Sequence, residues 1–267
     1  MLGLDRPEPA PFSHPSRYAG TVEARTLTTS DGVTLAAAIR AATNPRAAVV
    51  VVHGFASSAT HPDVVVLAGA LHDHGFTVVT YDARGHGASE GECTLGDDER
   101  RDVDAAVAHA RTVGAGLPVV VLGISMGAIA ALRHACTDPS LAGVVTVSCP
   151  ARWRLPRNAR GVLGAWLTQT GVGRRTALRR MGVRVAEPRP RPVAPVELVR
   201  ARHPPVAIVH GRGDPFIPAT DADELFLAAR EPRRIAVVPG AWHAYAADAV
   251  PVILDAVDWT LGAARPR

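Results

Sequence analysis

The chain has 267 residues, 47% apolar, 20% charged and 4% aromatic, which suits one α/β-sized globular domain and excludes a disordered tail. All 29 residues of the Lys+Arg total are arginine, so a Walker-type phosphate loop, a Schiff-base lysine, a kinase strand lysine and a Ser–Lys dyad are excluded. A net charge of +4 does not imply nucleic acid, but its distribution is uneven: residues 151–202 hold thirteen arginines against Glu187 and Glu197, and the rest holds sixteen against twenty-three acids.

From the N-terminus, MLGLDRPEPAPF lacks the basic start and apolar stretch of a signal peptide, and the longest apolar run, Ala47–Val52, is too short to span a bilayer. The expectation is a soluble, cytoplasmic protein with no membrane span. Thr21–Thr29 and Val33–Arg40 flank the turn signal Ser30-Asp31-Gly32 and read as a hairpin. Ala47–Val52 then reads as a strand buried on both faces, as do Thr77–Tyr81, Val119–Leu122, Gly143–Val147, Val206–Val209 and Ile235–Val238. Helical patterns lie near 62–74, 97–112, 126–136, 219–230 and 247–261. Such alternation predicts a mostly parallel, eight-stranded sheet with helices on both faces.

The alternation breaks between Pro150 and His203. Val162, Leu163, Trp166 and Leu167 share one helical face, and Ala177, Leu178 and Met181 extend that pattern. The proline-rich stretch Glu187 to Pro195 reads as an extended return. The chain is thus expected to be one domain, with a small helical cap inserted at about 150–203 and packed on the sheet's edge. Cys93, Cys136 and Cys149 form no CxxC pair and are expected to be inert thiols.

The strongest chemical signal is Gly123-Ile124-Ser125-Met126-Gly127, directly after an apolar strand and before a helix-forming run. A serine on a strained strand-to-helix turn needs glycines beside it, where a Cβ would clash. Catalytic groups in open α/β sheets gather beyond the carboxyl ends of strands, where the sequence offers Asp214 and then His243.

With His53-Gly54-Phe55 and Tyr81-Asp82-Ala83-Arg84-Gly85-His86-Gly87-Ala88-Ser89 at matching positions, the sequence resembles the α/β-hydrolase superfamily across nearly its whole length, in the esterase, lipase and aminopeptidase branch. The resemblance implies Ser125 as nucleophile, His243 as general base, Asp214 as the acid that orients it, and the backbone N–H groups of Phe55 and Met126 as oxyanion hole. Ser125 occupies the position where carbon–halogen and epoxide-cleaving relatives carry aspartate. No G-x-G-x-x-G is present, so dinucleotide binding is not expected.

Ser57, Trp153, Trp166 and Trp242 are candidate pocket residues, with Phe55 as a further apolar wall. His53, His86 and His210 read as structural, and His72 and His74 lack a third ligand, so neither metal nor cofactor is expected. The expected activity is hydrolysis of a carboxylic ester of a small-molecule acyl substrate. Thioester, amide and C–C bond hydrolysis remain open to the same residues, as does a non-catalytic binding module. The arginine-rich segment suits an anionic substrate, a coenzyme A phosphate or an acidic acyl carrier, against the plainer reading of a solvated arginine face; no nucleic acid is expected.

Overall fold

The computed structural model describes residues 22–155, 158–190, 192–243 and 249–264. A hairpin of β1 (Val22–Thr28) and β2 (Thr34–Arg40) opens it. Six strands follow: β3 (Ala47–Val52), β4 (Phe76–Tyr81), β5 (Val119–Ile124), β6 (Gly143–Val147), β7 (Val206–Gly211) and β8 (Arg233–Val238). They form one sheet of order β1-β2-β4-β3-β5-β6-β7-β8. The β1–β2 and β2–β4 pairs are antiparallel and every later pair is parallel.

The unbroken apolar strands are explained by two cores. Residues alternate between faces, so Val50, Val52 and Val121 meet Val103 and Val107 of α2 (Glu99–Val113) and Ile129 and Leu132 of α3 (Met126–Ala135). Val49, Val51, Val120 and Leu122 point the other way, onto α1 (Pro62–Asp73) and α8 (Ala249–Ala263). Strand β8 begins two residues before its apolar run, at Arg233 and Arg234. It is an edge strand, where only one flank is paired and charged side chains reach water.

Between β6 and β7 lie α4 (Ala159–Gln169), α5 (Gly171–Met181) and α6 (Pro195–Leu198); α7 (Thr220–Ala228) follows β7. The expected extension of the first helical face through Met181 is interrupted. Thr170 is extended (φ −115°, ψ 147°), and its hydroxyl caps α5 by accepting from Gly173 N–H at 2.9 Å. Of the proline-rich stretch, residue 191 lies outside the described residues, and Pro195 opens α6 rather than ending an extended run.

The inserted segment also does not sit on the sheet's edge. It leaves from β6, an interior strand, and touches loops at the carboxyl ends of two others. Arg184 N–H donates to Gly85 O at 2.9 Å and Cys93 N–H to Arg184 O at 2.7 Å, while Asn158 Nδ2 donates to Pro215 O at 2.7 Å. An insertion that leaves the carboxyl end of an interior strand starts among the loops at that end of the sheet. Among the described residues no helix is long and apolar enough to cross a membrane.

At the junction of β5 and α3, backbone packs directly against backbone. A Cβ on Gly123 would lie 2.4 Å from Gly127 O, and one on Gly127 would lie 2.3 Å from Val52 O, so neither position admits a side chain. Gly127→Ala is therefore expected to destabilise by about 3 kcal/mol or more. Gly164→Ala on α4, where an added Cβ meets nothing within 4 Å, should stabilise by up to about 1 kcal/mol. Urea midpoints of the two variants test the contrast.

Candidate active site

Ser125 sits between these glycines with φ 53° and ψ −114°, a backbone conformation costly for any residue with a Cβ. Its N–H donates to Val147 O at 2.8 Å and its carbonyl accepts from Ala128 N–H at 3.0 Å, so strand β6 and the first turn of α3 hold the strained residue from both sides. The side chain projects beyond the carboxyl end of β5.

The loops after β7 and β8 bring Asp214 and His243 to the same place. Ser125 Oγ lies 3.0 Å from His243 Nε2, and His243 Nδ1 lies 2.6 Å from Asp214 Oδ2. The other oxygen of Asp214 accepts from the N–H groups of Phe216 and Ile217, both at 2.9 Å. Burial alone would raise the pKa of this carboxyl. Donation from His243 and the two amides overrides it, and the net shift is downward, which keeps Asp214 ionised. His210, fully buried beneath, has its Nε2 3.0 Å from Ile217 O and 3.6 Å from Asp214 Oδ2, closing the 214–217 turn from below.

A second hydrogen-bonded frame shapes the loop after β3. His53 Nε2 accepts from Ala83 N–H at 2.9 Å, which leaves Nδ1–H to donate to Gly54 O at 2.7 Å. His86 repeats the arrangement, accepting from Ala56 N–H at 3.3 Å and donating to Arg84 O at 3.0 Å. Asp82 accepts from Ala59 N–H and Ala88 N–H, so both loops hang on one carboxylate. Arg84 is in turn fixed by Asp102 and Asp31.

This frame sets Gly54 against the serine, where an added Cβ would lie 3.3 Å from Ser125 Cβ. Phe55 follows directly. Met126 is the first residue of α3, so its N–H has no intrahelical acceptor. Neither the Phe55 nor the Met126 N–H meets an acceptor among the described residues.

The other sequence candidates divide. Trp242 is half exposed beside His243. Trp166 lies partly exposed on α4. Trp153 serves packing: its indole N–H donates to Pro192 O at 2.6 Å and its ring lies against the core. Ser57 follows the Phe55 loop with a buried hydroxyl that has no hydrogen-bond partner among the described residues. One residue, Phe216, escaped sequence reasoning, and another, Arg160, was read only as part of the arginine-rich segment. The Phe216 ring lies 5.0 Å from that of His243, and Arg160 lies over both Phe216 and Trp242. A phenylalanine two positions after a candidate acid was a signal available in the sequence; the reach of Arg160 was not.

Much of the inserted segment's charge is matched within the molecule. Arg152 and Arg154 pair with Glu224, Arg189 with Asp98 and Arg174 with Glu187. The acidic body and basic insertion noted in the sequence are thus partly two sides of one set of ion pairs. His74 binds Asp258 and His72 lies 3.2 Å from Ala41 O. Cys93 and Cys149 are buried, which pushes both thiols upward in pKa.

A mostly parallel eight-stranded sheet with a serine on the turn after its central strand defines an α/β-hydrolase fold. The chain belongs to the serine aminopeptidase S33 family, whose profile matches residues 43–186. That stretch holds the Gly54-Phe55 loop and Ser125 but ends before Asp214 and His243. An uncharacterized protein of Mycobacterium tuberculosis is 30% identical over 185 residues, 66% of this chain and 56% of that protein, so the match spans about half of that relative. The monoglyceride lipase homolog of monkeypox virus is 34% identical over 111 residues, 40% of each chain. Among solved structures, esterase Pf2001 of Pyrococcus furiosus superposes with a TM-score of 0.73 at 21% identity, covering 93% of both chains.

Burial, with His86 beside it, depresses the His53 pKa to about 3. The unfolded chain, near the ordinary histidine value of about 6.5, therefore binds a proton that the folded chain refuses. Stability from this residue is complete above the unfolded value and falls with acid at about 1.4 kcal/mol per pH unit down to the folded value. Urea titrations across that window should show the slope, and His53→Gln should flatten it whatever its stability at neutral pH.

Proposed function

We propose that the protein is a serine hydrolase that cleaves carboxylic esters through an acyl-enzyme on Ser125. The observation that carries this reading is the row Ser125 Oγ, His243 Nε2, His243 Nδ1, Asp214 Oδ2, with steps of 3.0 Å and 2.6 Å, on a strained turn. Asp214 accepts the Nδ1–H of His243, which fixes the tautomer whose Nε2 lone pair faces the serine. As Ser125 Oγ attacks the acyl carbon, its proton passes to Nε2. The imidazolium then protonates the departing alkoxide. Water, deprotonated by the same nitrogen, attacks the acyl-enzyme and releases the acid, so one ester and one water give one acid and one alcohol.

The oxyanion forms where the N–H groups of Met126 and Phe55 lack other acceptors, and Met126 adds the positive end of the α3 dipole. The negative charge of ionised Asp214 stabilises the transient imidazolium. The Pyrococcus esterase and the viral lipase homolog are consistent with ester chemistry. An aminopeptidase has to hold a substrate ammonium group, whereas the charged group lying over Phe216 and Trp242 is a guanidinium.

The test is hydrolysis of p-nitrophenyl esters from acetate to palmitate, with fluorophosphonate labelling in parallel. Ser125→Ala should lose about 10⁴–10⁶ in turnover and all labelling; activity that survives the substitution rejects the nucleophile. Asp214→Asn is expected to lower kcat by about 10⁴, because the amide stabilises the wrong imidazole tautomer. A loss below about tenfold would remove Asp214 from the mechanism.

A further inference from the structure

Most described arginines of the inserted segment are tied to carboxylates or carbonyls, as Arg184 is to Gly91 O. Arg160 is held differently. It stands in the first turn of α4, where the helix dipole disfavours a cation. Among the described residues it forms no ion pair and donates no hydrogen bond. Two aromatic rings hold it instead, with the guanidinium carbon 5.6 Å from the centre of Phe216 and 5.8 Å from that of Trp242.

Both rings belong to the catalytic loops. Phe216 follows Asp214 by two residues and stands 5.0 Å from the His243 ring, and Trp242 immediately precedes His243. Asn158 fixes the approach of α4, since its Oδ1 caps Gly161 N–H while its Nδ2 holds Pro215 O. The guanidinium is thereby set beside the two loops that carry Asp214 and His243. Aromatic rings offer the guanidinium no lone-pair acceptor, so its N–H donors stay available to a planar anion. Covering two rings needs no charge: an apolar side chain would do so without opposing the dipole.

We infer that Arg160 is a specificity-determining residue that selects esters carrying a carboxylate, pairing with that group while the scissile carbonyl lies at Ser125. The inference rests on the ester-hydrolase reading above and names its substrate class. It also narrows the role of the arginine-rich segment to one placed residue, because Arg175, Arg179 and Arg180 are exposed without such a clamp.

The experiment compares two matched substrate series. One sets p-nitrophenyl monoesters of dicarboxylic acids, succinate to suberate, against their ω-methyl esters. The other sets butyryl esters of 4-hydroxybenzoate against those of its methyl ester. In at least one series the carboxylate should be preferred in kcat/KM. Arg160→Gln should reduce that preference about tenfold or more, mainly through KM. Arg160→Lys should fall between, keeping charge without the planar fork. Arg175→Gln, with the same loss of net charge, should keep the preference, and high ionic strength should weaken it.

No preference in either wild-type series, or a preference retained in Arg160→Gln, overturns the inference while leaving the ester-hydrolase reading intact. If no ester is turned over, that reading fails separately, and calorimetric titration with glutarate decides the role of Arg160. Binding lost in Arg160→Gln and kept in Arg175→Gln supports it; no binding to wild type, or binding unchanged in Arg160→Gln, overturns it.

Discussion

The rest of the site hangs on the contact between Gly127 and the carbonyl of Val52. Helix α3 starts so close to strand β3 that no side chain fits there, and this closeness turns the chain sharply at Ser125. The strain at Ser125 persists because the surrounding sheet over-determines it, with Val147 and Ala128 gripping the residue on either side. The same turn aims the serine outward and brings the start of α3, with its unpaired N–H groups, beside the loop that follows β3. A looser junction would relax Ser125 into an ordinary helix start and carry its hydroxyl away from His243.

Neutral buried histidines form the supporting frame. Each of His53 and His86 donates with one nitrogen and accepts with the other, so each joins two loops that have no strand pairing of their own. Burial keeps them uncharged, since a charged imidazole would lose its acceptor nitrogen as well as its hydration. Asp214 is the opposite case: equally withdrawn from water but supplied with three donors, it stays charged. At Asp214 the donors outweigh the burial.

The inserted segment couples to this frame through backbone bonds to the loop after β4 and through ion pairs to the acidic body. Exposed pairs of this kind contribute little stability each. Arg152 and Arg154, shortly before α4, are anchored on Glu224, and Asn158 at its start is anchored on Pro215.

Strand order of occurrence, the turn at Ser125 and the positions of Asp214 and His243 beyond strand ends were legible in the sequence, because each leaves a local mark: an apolar run, a pair of glycines, a polar residue just after a strand. The break at Thr170 was hidden, since a helix-compatible apolar spacing continues through it and only the cap geometry shows two helices. The edge position expected for the insertion failed for a related reason, because chain order does not say which strands lie at the centre of the sheet. Sequence by itself determined which elements form and which polar residues stand just beyond the strand ends, since burial period and backbone sterics act over a few neighbours. The tertiary structure alone decided that Phe216, Trp242 and Arg160, from three separate segments, meet beside His243, because that meeting depends on sheet order and on the path of the insertion across it.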